Sequence, residues 1–250
     1  MIVNKMIPGR KGYSIPVLYN ISGKEPAVVL ISHGFGSTKE SPTVKLMAKL
    51  LEKQGMGFLA LDFPAHGESP VSGEGFTLDN CLSDLSSAEE KIRTEAPQAK
   101  IFYFSSSFGG YINLLYLTLC PHRGEKSFLR CPAVNMPAIL KENMTPKIRQ
   151  DFAKDGFTLL EEDFVRPLQL TKTFYDQLQA HDVFRLYAPG DCQTMMVHGT
   201  EDESVSPQKV KEFGEKFHIP LLWIQGADHT FSGEGMMEEL AEAALTFFSQ

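Results

Sequence analysis

The apolar positions of this chain alternate between two rhythms. Short unbroken runs have the length and density of strands buried on both faces: "AVVLIS" (27–32), "GFLALDF" (57–63), "IFYFS" (101–105), "TMMVHG" (194–199) and "PLLWIQG" (220–226). Between them, apolar residues return every three or four positions, as on one face of a helix. "SPTVKLMAKLLEKQG" (41–55) brings Val44, Met47, Ala48 and Leu51 together and stops at Gly55, a natural helix C-cap. "TLDNCLSDLSSAEEKIRTEAP" (77–97) gathers Leu78, Leu82, Leu85 and Ala88 and ends before Pro97. "SPQKVKEFGEKF" (206–217) opens with Ser206 as N-cap and Pro207 in the first turn, and "MMEELAEAALTFF" (236–248) has a helical pattern. Strands alternating with helices predict an α/β fold, a mostly parallel sheet flanked by helices. The leading "MIVNKMI" and "YSIPVLYN" fit an antiparallel hairpin at one edge.

Residues 135–190 break this rhythm. They hold helical pieces and several prolines but no clear core strand. The organisation expected is therefore a sheet domain of residues 1–134 and 191–250, interrupted by a helical cap insertion at 135–190. Ligands of open α/β sheets bind beyond the carboxyl ends of the strands, and an insertion there would cover the site.

The chemistry centres on "IFYFSSSFGGYINLL" (101–115), where a strand runs into three serines and two glycines before a helical pattern. A sharp strand-to-helix turn can raise one side chain above the sheet if the residues two before and two after it are small. Ser107 meets this condition, with Ser105 and Gly109 at those places. Ser106 would have Phe104 and Phe108 there, and Ser105 still lies in the strand. The helix N-terminus that follows Ser107 favours a developing oxyanion.

A serine nucleophile needs a base, and the base needs an orienting acid. Of the seven histidines, His229 in "IQGADHTF" sits just beyond a strand, on the edge expected for Ser107. His218 precedes that strand and belongs at the opposite edge. Asp228 reads as a local turn former. "VHGTEDESVSP" offers Glu201, Asp202 and Glu203 beyond the preceding strand, and spacing alone leaves the first two open. For the oxyanion, the amide of Phe108 is one donor. The Gly-rich turn of "LISHGFGS" makes the amide of Phe35 the other. His33 in that turn reads as a buried structural residue hydrogen-bonded beneath the loop.

Composition narrows the picture only slightly. The chain has 250 residues, 42% hydrophobic and 22% charged, with a formal net charge of −7. That is ordinary globular composition, and the acidic balance disfavours non-specific nucleic-acid binding. No apolar run reaches the length of a membrane span, and the start lacks the apolar region of a leader, so neither membrane nor export is expected. The four scattered cysteines lack metal-binding spacing and read as free thiols of a cytoplasmic protein. No metal or cofactor is expected.

These residues resemble the α/β-hydrolase superfamily over nearly the whole chain outside the insertion. "SHGFGS" is similar to its oxyanion turn, "DFPAHGES" (62–69) to its D-x-x-G-H-G-x-S turn with Ala65 in place of the first glycine, and "SSSFGG" to its G-H-S-x-G-G elbow. "HGTEDESVSP" resembles its acid loop, whose G-x-x-D spacing selects Asp202, and "GADHTF" its histidine loop. More narrowly, the set resembles bacterial cinnamoyl and feruloyl esterases and serine-aminopeptidase-like relatives. That likeness implies a cap that binds an aromatic acyl group, with a tyrosine on its phenolic end. "LTKTFYDQLQ" (170–179) makes Tyr175 that residue. Two departures stand out. Ser105-Ser106 replace the usual Gly-His, and "CPAVNMPAILK" (131–141) lacks the carboxylate that such esterases carry after the sixth strand.

The function expected is a cofactor-free serine carboxylesterase acting on a small-molecule ester, with aryl or cinnamoyl-type esters as the candidates, through Ser107, Asp202 and His229. The chain would act alone or as a homodimer. An aminopeptidase or thioesterase would use the same residues, and an aminopeptidase would draw an amine-binding carboxylate from Glu161, Glu162 and Asp163. A hydrolase fold retained only for binding is the third alternative.

Overall fold

The central sheet is covered on both faces, which is why its strands read as unbroken apolar runs. The computed structural model describes residues 2–161 and 165–250. An antiparallel hairpin, β1 (Val3–Pro8) and β2 (Ser14–Asn20), forms one edge, as the leading segments predict. Then β3 (Ala27–Ser32), α1 (Pro42–Lys53), β4 (Gly57–Leu61), α2 (Leu78–Glu95), β5 (Lys100–Ser106), α3 (Phe108–Leu119) and β6 (Gly124–Arg130) follow. After an insertion come β9 (Gln193–Gly199), α8 (Pro207–Phe217), β10 (Leu221–Ile224) and α9 (Met236–Ser249). The strand order is β1-β2-β4-β3-β5-β6-β9-β10, and every pair from β4 to β10 is parallel.

Alternation along each strand divides the core in two. Leu30, Leu59, Tyr103 and Leu129 face α2 and α3. Val29, Ile31, Phe104 and Phe128 face α1 and α9, where they meet Met47, Leu51, Leu240 and Phe248. The helix after β3 thus packs on one face and the helix after β5 on the other. The chain ends leaving these two neighbouring strands diverge, and a crevice opens at their carboxyl ends, the topological switch point of the sheet.

The insertion between β6 and β9 consists of α4 (Met136–Glu142), α5 (Pro146–Lys154), β7 (Phe157–Leu160), β8 (Leu168–Thr171), α6 (Lys172–Ala180) and α7 (Val183–Leu186). It differs from an all-helical cap in one respect: β7 and β8 pair as an antiparallel two-stranded sheet. Arg166, in the connection between them, fastens the insertion to the core. Its guanidinium donates to the carbonyls of Ala65, Gly67 and Ser69 at 2.9–3.1 Å. Phe174 of α6 stacks on Phe76 of the core at 4.1 Å between ring centres.

Candidate active site

Ser107 stands between β5 and α3 with φ 52° and ψ −115°, a left-handed conformation that an L-residue adopts only under constraint. The constraint is visible. Its N–H donates to the carbonyl of Arg130 at 2.8 Å, and its carbonyl accepts from Ala133 at 3.0 Å. A side chain at Gly109 would put Cβ 2.6 Å from the carbonyl oxygen of His33, so the small residue two after Ser107 is required by backbone contact. Two before it, the Ser105 hydroxyl accepts from Ser32 at 2.8 Å across the β3–β5 pair. Ser105 therefore does more than keep the turn small: it ties the elbow strand to the strand of the Gly-rich loop.

His229 reaches this serine from the loop after β10. Its Nε2 lies 3.0 Å from Ser107 Oγ, and its Nδ1 lies 2.7 Å from Asp202 Oδ2. The carboxylate accepts, so Nδ1 carries the hydrogen and Nε2 faces the serine with its lone pair. Asp202 Oδ1 takes the amides of Ser204 and Val205 at 2.9 and 2.8 Å. Burial pushes the Asp202 carboxyl upward, but the bond and charge of His229, the Val205 amide and nearby His198 outweigh it. The net result holds Asp202 below the usual carboxylate range. Glu201, the residue that spacing left open, is exposed and instead gives its amide to the carbonyl of Ala227.

The other expectations for this region can be placed as well. His33 is buried; its Nε2 accepts from the Phe63 amide at 3.1 Å and its Nδ1 donates to the Gly34 carbonyl at 2.7 Å. Burial lowers its pKa to about 4, so it is a neutral strut. Asp228 folds its carboxylate onto the Thr230 and Ser232 amides and hydroxyls. These bonds, that of Ser232 first, hold its pKa at about 2. Phe35 and Phe108 flank Ser107, their rings edge to face at 5.6 Å. Of the acidic run near the β7–β8 connection, Glu161 is exposed, while Glu162 and Asp163 lie outside the described residues.

Two residues escaped the sequence reading. Arg130, at the end of β6, donates to the His229 carbonyl at 2.7 Å and lies over the Phe231 ring at 5.0 Å. It joins the serine turn to the histidine loop. A lone arginine ending an otherwise apolar strand end, "SFLR", is the signal that could have found it. His198, in β9, approaches Asp202 Oδ2 to 3.3 Å. Cys131, His198 and Asp202 are the one grouping of potential metal ligands among the described residues. Their chemistry suits packing better than metal. Burial pushes the Cys131 thiol far up, so it stays protonated, and both Asp202 oxygens already accept N–H bonds.

Two cavities meet at Ser107, Phe35 and His229. One, of about 400 Å³, lies under the insertion and is lined by Met136, Ile139, Leu140, Met144 and Ile148, with Tyr175 among its few polar groups. The other, of about 750 Å³, is lined by hydroxyls such as Ser37, Ser41 and Thr43, together with Arg130, Glu234 and Glu238. Tyr175 thus lines the same cavity as Ser107.

Comparison with known proteins gives a consistent setting. The family model for serine aminopeptidase, S33, matches residues 23–156. Comparison with curated proteins found no match. Among solved structures, a putative hydrolase from Agrobacterium vitis S4 superposes with a TM-score of 0.83 at 20% identity, covering 99% of each chain. Est1E from Butyrivibrio proteoclasticus, solved with ferulic acid bound, gives 0.83 at 18% identity over 98% of this chain and 100% of its own. Mouse alpha/beta hydrolase domain-containing protein 10 gives 0.77 at 16% identity, over 99% and 98%. At these identities the likeness concerns the fold.

Proposed function

The chain belongs to the serine aminopeptidase S33 family of the α/β-hydrolase superfamily, and from that premise we propose that it is a serine esterase that joins an apolar acyl pocket to a polar leaving-group pocket. The observation that carries this reading is the hydrogen-bonded series Ser107–His229–Asp202, at 3.0 and 2.7 Å. Ser107 Oγ attacks the ester carbonyl while His229 Nε2 takes its proton. Asp202 orients the ring and stabilises the imidazolium. The amides of Phe35 and Phe108 receive the oxyanion. Collapse expels the alcohol, which regains the proton from His229. Water, activated by the same imidazole, then attacks the acyl-serine and releases the acid.

The two cavities suggest how a substrate is divided. The aliphatic and thioether lining under the insertion suits an apolar acyl group, with Tyr175 in its wall. The hydroxyl-rich cavity suits a polar alcohol. Fluorophosphonate labelling tests the nucleophile: the label is expected on Ser107, and Ser107→Ala is expected to lose both label and esterase activity. A Ser107→Ala protein that kept its activity would end this reading. The acyl assignment is tested with p-nitrophenyl esters of increasing chain length beside methyl hydroxycinnamates.

One observation favours amide hydrolysis as a second reading. Glu234 and Glu238 border the polar cavity, where carboxylates could receive a free amine. Aminoacyl p-nitroanilides cleaved faster than p-nitrophenyl esters would establish the peptidase reading over the esterase one.

A further inference from the structure

A second imidazole stands behind Asp202, and the reaction just described has no use for it. His198 is shielded from solvent at the end of β9. Its Nε2 lies 3.0 Å from the carbonyl oxygen of Val205 and 3.3 Å from Oδ2 of Asp202. Both are acceptors, so Nε2 carries the hydrogen and Nδ1 the lone pair. Nδ1 is buried and has no hydrogen-bond partner. Charging the ring would put a second, unanswered N–H in that dry position. Burial accordingly keeps the His198 pKa below its ordinary value, against the pull of Asp202 and the Val205 carbonyl. The ring is thus held toward its neutral form, its N–H given to the Val205 carbonyl with the Asp202 carboxylate alongside.

We propose that His198 is a positioning residue for the Ser107–His229–Asp202 series, fixing both the orientation of Asp202 and the share of its charge that reaches His229. The inference rests on the triad reading above. Two features of the geometry support it. First, Oδ2 of Asp202 faces both imidazoles, His229 Nδ1 at 2.7 Å and His198 Nε2 at 3.3 Å, so charge drawn toward one is withheld from the other. Second, His198 holds Val205 by its carbonyl, and the amide of Val205 holds Oδ1 at 2.8 Å. One ring therefore lies against one carboxylate oxygen and supports the other through Val205.

The acid loop also has little freedom to adjust without it. The backbone of Gly199, next to His198, lies against that of Ala227 so closely that a Cβ would overlap the Ala227 carbonyl. The amides of Thr200 and Glu201 donate to Ile224 and Ala227. The acid and histidine loops are thus joined along their backbones, and the carboxylate's side-chain rotation is the freedom that remains. The other groups facing His198 are His229, Arg130, the Cys131 thiol and the edge of Trp223 at 5.9 Å. Arg130 stays charged and the thiol stays protonated through the neutral range, so His229 is the group whose titration reports the effect.

The test compares wild type with His198→Phe, which keeps a ring but loses the N–H, and His198→Gln, which returns an amide N–H near the place of Nε2. Two readouts are followed: the His229 pKa by NMR titration, and the pH profile of ester hydrolysis. In His198→Phe the Asp202 charge falls more fully on His229, so the His229 pKa and the acid limb of kcat/KM are expected to rise by about half to one pH unit. The less ordered carboxylate is expected to lower kcat about tenfold to a hundredfold with KM unchanged. His198→Gln is expected to restore most of both. An unshifted His229 titration in the Phe variant, or a Gln variant as impaired as Phe, would overturn the proposal in favour of simple packing. If the Phe protein does not fold, His198→Met serves as the donor-free variant. Absence of fluorophosphonate label on wild-type Ser107 would refute the esterase reading alone, because the His229 titration still decides the role of His198.

Discussion

Asp202 and Asp84 are both buried carboxylates, one in the loop beyond β9 and one on α2, and their environments drive them in opposite directions. Asp202 sits where the acid and histidine loops converge, and N–H groups of Ser204, Val205 and His229 point at it. Its desolvation is outweighed and it is held as an anion. Asp84 sits on α2, beneath the hairpin, with the Tyr13 hydroxyl donating at 2.7 Å. Burial dominates there and pushes its carboxyl up to about 7, with the Tyr13 bond pulling the other way. Burial alone does not mark a functional carboxylate; convergence of backbone and imidazole N–H groups does. The two should also give stability of opposite pH dependence, which makes the contrast testable.

The largest effect is expected from Asp202→Asn. An amide cannot hold His229 in the tautomer that leaves Nε2 free for Ser107, and kcat should fall about 10⁴-fold in a protein that remains folded. A folded pKa below the unfolded one gives stability that is present above about pH 4 and lost in acid. The Asn variant should therefore be least stable relative to wild type near neutrality, with the gap closing as pH falls, as urea unfolding would read.

Asp84→Asn should behave in the opposite way. With the folded pKa raised to about 7, the native protein holds a proton that the unfolded chain releases at about pH 4. Wild-type stability is thus intact below pH 4, declines as pH rises from 4 to 7, and then levels. The Asn variant carries no such titration. It should gain on wild type through that window by on the order of a few kcal/mol. Esterase kcat should be unchanged, and a stability difference independent of pH would contradict the assignment.

The contrast between these two carboxylates also separates what the sequence could disclose from what it could not. Strands such as β3 were readable because both sheet faces are covered and polarity never interrupts the run. Ser107 was readable because an elbow demands small neighbours at fixed places, and the Gly109–His33 contact is the physical form of that demand. The β7–β8 pair was not, because four-residue strands are too short to display a period. Asp202 and Glu201 could not be told apart by spacing: which of two adjacent side chains turns inward depends on the path of the loop, and here the bonds to Ile224 and Ala227 set that path. His198 and Arg130 were hidden for a related reason. Each lies inside or at the end of an apolar strand, where a polar residue shows no period of its own; the partner of Arg130 is 99 residues away, and those of His198 depend on how the loop after its strand folds back.

The smallest effect is expected from Tyr13→Phe, which leaves Asp84 in place but removes its hydroxyl partner. A hydrogen bond is worth more to a carboxylate than to a neutral carboxyl, so the cost should rise with pH, reaching about 1–2 kcal/mol once Asp84 is ionised. Loss of the donor also raises the Asp84 pKa further, so the decline in stability should extend to higher pH than in wild type. The decisive measurement places Tyr13→Phe in the Asp84→Asn background, with urea unfolding from pH 4 to pH 9. There the cost should become the same at every pH, because residue 84 no longer titrates. A cost that still grew with pH would assign the titration to a group other than Asp84, and the contrast with Asp202 would have to be redrawn around it.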